Sequence, residues 1–212
     1  MGAMTAPGVE LSFPFTGRWM AQNSPADHVP SHGTHLFATT YAIDFVALDE
    51  RGRTAPRSWR SAFSTEAPEI FLGFGVDLLS PLSGTVVATH DGEEDHIARR
   101  SPFALAAYAL TQWERVRGGA GAIAGNHVVI KDARRFVLLA HLRRGSLVVR
   151  PGDDVVVGTR IGACGNSGNS TEPHVHVQAM DAADATIARG LPITFATPAG
   201  HVLPRNGEPF IA

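Results

Sequence analysis

Residues 125–178 read GNHVVIKDARRFVLLAHLRRGSLVVRPGDDVVVGTRIGACGNSGNSTEPHVHVQ, and this stretch decides the fold. Its apolar runs are short, β-branched and repeatedly interrupted. Asn126 to Lys131, Phe136 to His141, Ser146 to Arg150 and Asp154 to Val157 read as strands, with Pro151-Gly152 and Gly158 as punctuation. The Gly165–Ser170 run of Gly, Asn and Ser is turn-forming. It leads into a last strand, His174 to Gln178. Side chains alternate faces along a strand, so His174 and His176 project together from one sheet face. That is what two neighbouring roles at one metal site require. On its own, the pair is also consistent with two solvated or hydrogen-bonded histidines.

The rest of the chain continues the β reading. Tyr41–Leu48 and Gly84–Thr89 are strand candidates, Asp91-Gly92 is a hairpin-type turn, and a further strand lies around Pro192–Ala196. Residues 51–70, rich in Arg, Ser, Ala and Pro, read as a surface excursion. Residues 102–117 break the pattern. Ser101 can cap, Pro102 suits a first helical turn and Gly118-Gly119 ends the run, so a short inserted helix is expected there. The expected fold is mainly β, an antiparallel two-sheet sandwich or barrel-like hybrid. One domain over 1–212 is expected, with an N-terminal arm over 1–26 and a C-terminal extension over 183–212.

Composition narrows the function classes. A formal net charge of −2 and no basic stripe argue against nucleic acid or an anionic membrane surface as partner. No apolar run approaches the ~18 residues of a membrane span. The single cysteine, Cys164, excludes an internal disulfide framework and a cysteine-based zinc knuckle, and its small neighbours suggest a packed thiol. The opening residues MGAMTAPGVE show neither a charged n-region nor an apolar h-region. A secreted or cell-envelope location is therefore expected only if a leader has been removed, and a cytoplasmic one otherwise.

A catalytic zinc takes three protein ligands and leaves a position for water. His176 can supply one. Asp44 is the best carboxylate, because it interrupts the apolar strand Ala42-Ile43-Asp44-Phe45-Val46, where an unpaired charge is costly. It could instead sit at a strand edge facing water. Asp77, within Val76-Asp77-Leu78, is a similar case with no histidine near it. A third ligand is expected from the loop carrying His28, His32 and His35. His141 ends the apolar strand Val137–Ala140 and is the remaining participant.

In this arrangement the chain resembles the lysostaphin-type, LytM-like zinc metallopeptidases, which cut peptide bonds in bacterial cell walls. Pro81-Leu82-Ser83-Gly84-Thr85-Val86 is similar to their Pro-x-x-Gly-x-Val segment, and Gly125–Ile130 to their Gly-Asn-x-Val-x-Ile strand. His141-Leu142 corresponds to the His-Leu pair. Gly152, Val155, Gly158, Ile161 and Gly162 follow the glycine-punctuated run, and Gly165–His176 ends in the Pro-His-x-His signature. The motifs span roughly residues 32–180. The resemblance implies one zinc per chain, held by His32, Asp44 and His176, with His35 as the alternative to His32. It implies His141 and His174 as unligated catalytic residues: His174 moves the water proton, and His141 donates to the developing oxyanion or orients the water. It further implies a peptidoglycan peptide substrate contacted by Asn126 and Asn169.

Two departures stand out. The family pattern places the first histidine four residues before the aspartate, where this chain has Thr40. The chain resembles a subgroup with Tyr-Ala-x-Asp-Phe here, whose histidine comes from a longer loop. Gly33 would let the chain turn back and favours His32. Val175 and Val177-Gln178 stand where Leu and Phe-Glu are common, a change expected to tune packing. The segments 51–72 and 93–122 lie outside the common core, as groove walls or as surface elaboration.

Overall fold

Alternation of apolar residues sets the fold and leaves one sheet face for polar groups. The computed structural model describes residues 8–56, 65–98, 123–133 and 135–212. The helix expected over 102–117 lies outside them. In chain order the strands are β1 Val9–Leu11, β2 Arg18–Gln22, β3 Ile43–Ala47, β4 Asp77–Leu79, β5 Gly84–His90, β6 Asn126–Asp132 and β7 Arg135–Leu142. They continue with β8 Asp154–Val155, β9 Arg160–Ala163, β10 Val175–Met180, β11 Gly190–Leu191, β12 Ile193–Thr197, β13 Gly200–Val202 and β14 Pro209–Ile211. A nine-stranded sheet runs β14-β2-β3-β10-β7-β6-β5-β8, with β11 on β10. All its neighbours are antiparallel. A three-stranded sheet, β1-β12-β13, contains a parallel β1–β12 pair, and β4-β9 forms a third small sheet. Among the described residues the fold is mainly β, with several antiparallel sheets and no closed barrel.

Two details differ from the sequence reading. Ser146–Arg150 is not a strand. Its backbone groups are taken up singly: Asp91 accepts from Gly145 and Leu147, and the Val148 N–H donates to Ile161. No ladder forms. The regions expected as an arm and an extension instead supply β1 and β2 at one end and β11 to β14 at the other. Among the described residues, no helix is long and apolar enough to cross a membrane.

One face of the large sheet packs into the main core. Ile43, Phe45 and Ala47 from β3, Val137, Leu139 and Leu142 from β7, and Val175, Val177 and Ala179 from β10 all lie in it. Aromatic rings close that core: Phe13 stacks on Phe195 at 4.7 Å, and Phe15 on Trp19 at 3.9 Å. The period of two then sends Asp44, His176 and Gln178 to the opposite face, where all three are buried. The core therefore fixes the register that builds the site. Phe45 is fully buried and makes edge contacts with Phe15 and Phe195. Phe45→Ala should cost about 3–5 kcal/mol of unfolding free energy in urea titration; a loss under about 1 kcal/mol would contradict this packing.

Candidate metal centre

Strand pairing brings the key residues together. Asp44 on β3 lies directly opposite His176 on β10. Their side chains meet at 2.8 Å, His176 Nδ1 to Asp44 Oδ1. His32 arrives from the loop before β3, with Nε2 3.1 Å from Asp44 Oδ2. Gly33 helps the loop turn back: its φ is +72° and its N–H donates to Pro30. His174 Nε2 stands 3.8 Å from Asp44 Oδ1. His35 is exposed, with Nδ1 against Thr40 Oγ1 at 3.0 Å, and does not join the cluster.

A β-bulge aims His141. On β6–β7, Val128 pairs with Leu139, but Asn126 pairs with Leu142, so β7 carries an extra residue. His141 has φ +64°, in the left-handed region that bulky residues seldom occupy. Leu139 and Leu142 both face the core, and the His141 ring turns to the site, 4.6 Å from that of His174 and 5.8 Å from that of His176.

Hydrogen bonds assign the ring protons. The Nδ1–H of His141 donates to the Ser167 carbonyl at 2.9 Å, and that of His174 to the Glu172 carbonyl at 2.8 Å. Carbonyls only accept, so each neutral ring carries its lone pair on Nε2. Both rings can therefore accept a proton or a water hydrogen bond. On a neutral His141 ring the Nε2 lone pair accepts and does not donate.

Burial alone would raise the Asp44 carboxyl. The charges of His32 and His174, with hydrogen bonds from His176 and His32, hold it well below the usual carboxylate range. Burial, then the neighbouring His174 and His176, pushes His141 well below the ordinary imidazole value, so it stays neutral. His176 goes the other way. Burial lowers it, but the hydrogen bond and charge of Asp44 outweigh that and raise it.

The donor set fits a zinc ion. One ligand atom each from His32, Asp44 and His176 lies within 4.8 Å of the others, a His/carboxylate/His trio. A tetrahedral zinc with bonds of ~2.0–2.1 Å spaces its ligand atoms about 3.3 Å apart, so small side-chain shifts suffice. The trio lies in a cleft of about 670 Å³, also lined by His127, Asn169 and Glu172.

Other expected residues fall elsewhere. Asn126 is not a substrate contact. It is fully buried, its Oδ1 accepts from the Gly92 and Glu93 N–H groups, and its Nδ2 donates to the Glu93 and Leu142 carbonyls. All its hydrogen-bonding capacity is used, tying the 91–93 loop to the sheet. Asn169 lines the cleft, half-buried. Asp77 is exposed and pairs with Arg160. Cys164 is packed, and burial followed by the charge of Asp95 pushes its thiol far up.

Sequence reading missed Asn23, whose Nδ2 donates to Asp44 Oδ2 at 2.7 Å from a residue with φ +49°. It also assigned Gln178 to packing, although Gln178 Oε1 sits 2.8 Å from His176 Nε2. The period of two from His174 and His176 already placed Gln178 on their face and could have flagged it. Gly125 and Gly168, at φ +60° and +69°, pack back to back: a Cβ on Gly125 would lie 2.6 Å from the Gly168 nitrogen. This close approach lets Ser167 Oγ accept from the Asn126 N–H at 3.0 Å.

Residues 106–187 match the sequence model of peptidase family M23. Among solved structures, the chain is similar to the M23 metalloprotease pseudoalterin from the deep sea, at 12% identity over 96% of this chain and 95% of that one, TM-score 0.46. It is also similar to the catalytic domain of lysostaphin, an antimicrobial peptidase from Staphylococcus simulans, at 16% identity over 87% and 86% of the two chains, TM-score 0.41. A zinc-containing peptidase from Vibrio cholerae matches at 17% identity over 70% of this chain and 48% of that one, TM-score 0.35.

The Asn126 hydrogen bonds yield a direct check. Asn126→Ala takes the side-chain partner from three backbone groups of Gly92 and Glu93 and should lower the unfolding free energy by about 1–3 kcal/mol in urea titration. A loss under about 0.5 kcal/mol would contradict the structural role.

Proposed function

We propose, on the premise that the chain belongs to peptidase family M23, that it is a zinc endopeptidase cleaving peptide bonds of bacterial cell-wall peptidoglycan. The family match over residues 106–187 supports a metallopeptidase hydrolase with a peptide substrate. Zinc and the wall peptide are the finer part of the reading. The observation that carries it is the convergence of His32, Asp44 and His176 beside two further histidines whose lone pairs face the same cleft.

In this reading His32, Asp44 and His176 hold the ion. A zinc ion bound there would supply Lewis acidity for the scissile carbonyl and lower the pKa of a water towards neutral. Asn23 steadies the Asp44 carboxylate through its 2.7 Å hydrogen bond. His174 takes the water proton on Nε2 and passes it to the leaving amine, its ring held by the Glu172 carbonyl. His141 accepts a hydrogen bond from the same water on its own Nε2, held by the Ser167 carbonyl. The cleft leaves room for an extended peptide over these groups.

Dialysed protein should retain one zinc per chain and release new amino termini from purified peptidoglycan. A chelator should stop the release and added zinc restore it. Undiminished release by fully chelated protein would sink the metal reading. His32→Ala should lose zinc in metal analysis while His35→Ala keeps it; the reverse would reassign the ligand. His174→Ala should keep zinc and lose about 10²–10⁴ in kcat, and a loss below about tenfold would remove His174 from the proton path.

A further inference from the structure

The groups behind both proposed histidine ligands are anchored to one short turn. Gln178 Nε2 donates to the Phe37 carbonyl at 3.0 Å, which fixes the amide with its oxygen toward His176. That oxygen, 2.8 Å from His176 Nε2, only accepts. When the ring is neutral and holds an ion, His176 therefore carries its proton on Nε2 and presents its lone pair on Nδ1, the atom facing Asp44; a protonated ring without the ion donates from both nitrogens. The other side repeats the logic. Ser31 Oγ gives its only proton to the Thr39 carbonyl at 3.1 Å and so accepts from His32 Nδ1 at 3.0 Å. His32 Nε2 is then the lone pair facing Asp44. Ser31 and Gln178 are both buried, 1% and 3% exposed, so water does not compete for these bonds.

Phe37 and Thr39 lie in the 3-10 turn Leu36–Tyr41. Phe37 and Ala38 have φ of +54° and +62°, both in the left-handed region. The turn is braced from within by Thr39 Oγ1, which bonds the Leu36 and Thr34 carbonyls. From outside, Gly190 of β11 packs so closely that a Cβ there would meet the Ala38 carbonyl. With both rings neutral in these tautomers, two lone pairs and one carboxylate converge within 3.1 Å, a donor set suited to one shared cation.

We propose that the turn 36–41, acting through Gln178 and Ser31, fixes the tautomers of His176 and His32 and makes these two polar residues positioning residues of the metal centre. The inference rests on the zinc reading above. It gives Gln178 a role in ligand orientation that its place on a packed strand does not require, since Met180 on the same face is apolar and fully buried.

The test combines zinc affinity, by competition with a chromophoric chelator, and nitrogen-15 NMR of labelled histidines in metal-free protein at a pH where the rings are neutral. Wild type should show His176 as a single Nε2–H tautomer. Gln178→Leu should mix the tautomers and weaken zinc roughly 10–100-fold, whereas Gln178→Glu, which keeps the acceptor toward His176 but gives up the bond to the Phe37 carbonyl, should keep the Nε2–H tautomer and lose clearly less affinity than Gln178→Leu. Ser31→Ala should do the same at His32 and leave His176 unchanged. The proposal is overturned if Gln178→Leu keeps one tautomer and full affinity, or if Gln178→Glu binds as weakly as Gln178→Leu. Should Gln178→Leu not fold, Ser31→Ala decides by the same two readouts. A wild type that binds no zinc would overturn the zinc reading instead, while the tautomer spectra still decide for or against the positioning role.

Discussion

The Asp44 carboxylate sits inside a strand whose five residues are all buried, and the surrounding structure exists to accommodate it. Removing a charge from water costs several kcal/mol unless partners replace the lost hydration. Asn23, His32 and His176 bond its two oxygens, and His174 stands just beyond. These partners come from three separate segments, so the loop at 23, the loop at 32 and the His174–His176 stretch must all hold their places around β3. A buried carboxylate ringed by imidazoles is poor design for stability alone. It is a good cation site.

Precision in that arrangement comes from the sheet. The antiparallel register places Asp44 against His176, and Ala140 on the far side of His176, so the ligand strand lies between β3 and the strand that carries His141. One bulge then does what regular pairing cannot: it turns His141 to the face its neighbours Leu139 and Leu142 avoid. Backbone carbonyls of Ser167 and Glu172, supplied by the turn-forming segment before β10, settle which nitrogen of each unligated ring meets the cleft. In the proposed reading, metal affinity and proton transfer depend on the same few strands, and disturbing the core behind them would be felt at both.

Much of this was legible in the sequence. A charge interrupting an apolar strand marked Asp44, the period of two paired His174 with His176, and Gly33 pointed to His32 over His35. The mainly β fold followed from short β-branched runs and frequent turns. What stayed hidden depends on contacts distant in sequence or on backbone choices that leave no compositional trace. A left-handed histidine carries no signature, so the aiming of His141 could not be read. Asn126 looks like a motif residue, and only its bonds to the 91–93 loop explain why it is there. Ser146–Arg150 has strand composition, but Asp91 takes two backbone N–H groups of that neighbourhood for itself. The parallel β1–β12 pair joins the two ends of the chain, a contact no local pattern announces.

Anomalous diffraction from zinc-loaded crystals tests the central claim most directly. The account predicts one zinc peak at about 2.0–2.2 Å from His32 Nε2, a carboxylate oxygen of Asp44 and His176 Nδ1. His141 and His174 should remain outside the coordination sphere. A peak bound through His35, through His176 Nε2, or away from Asp44 altogether would contradict it.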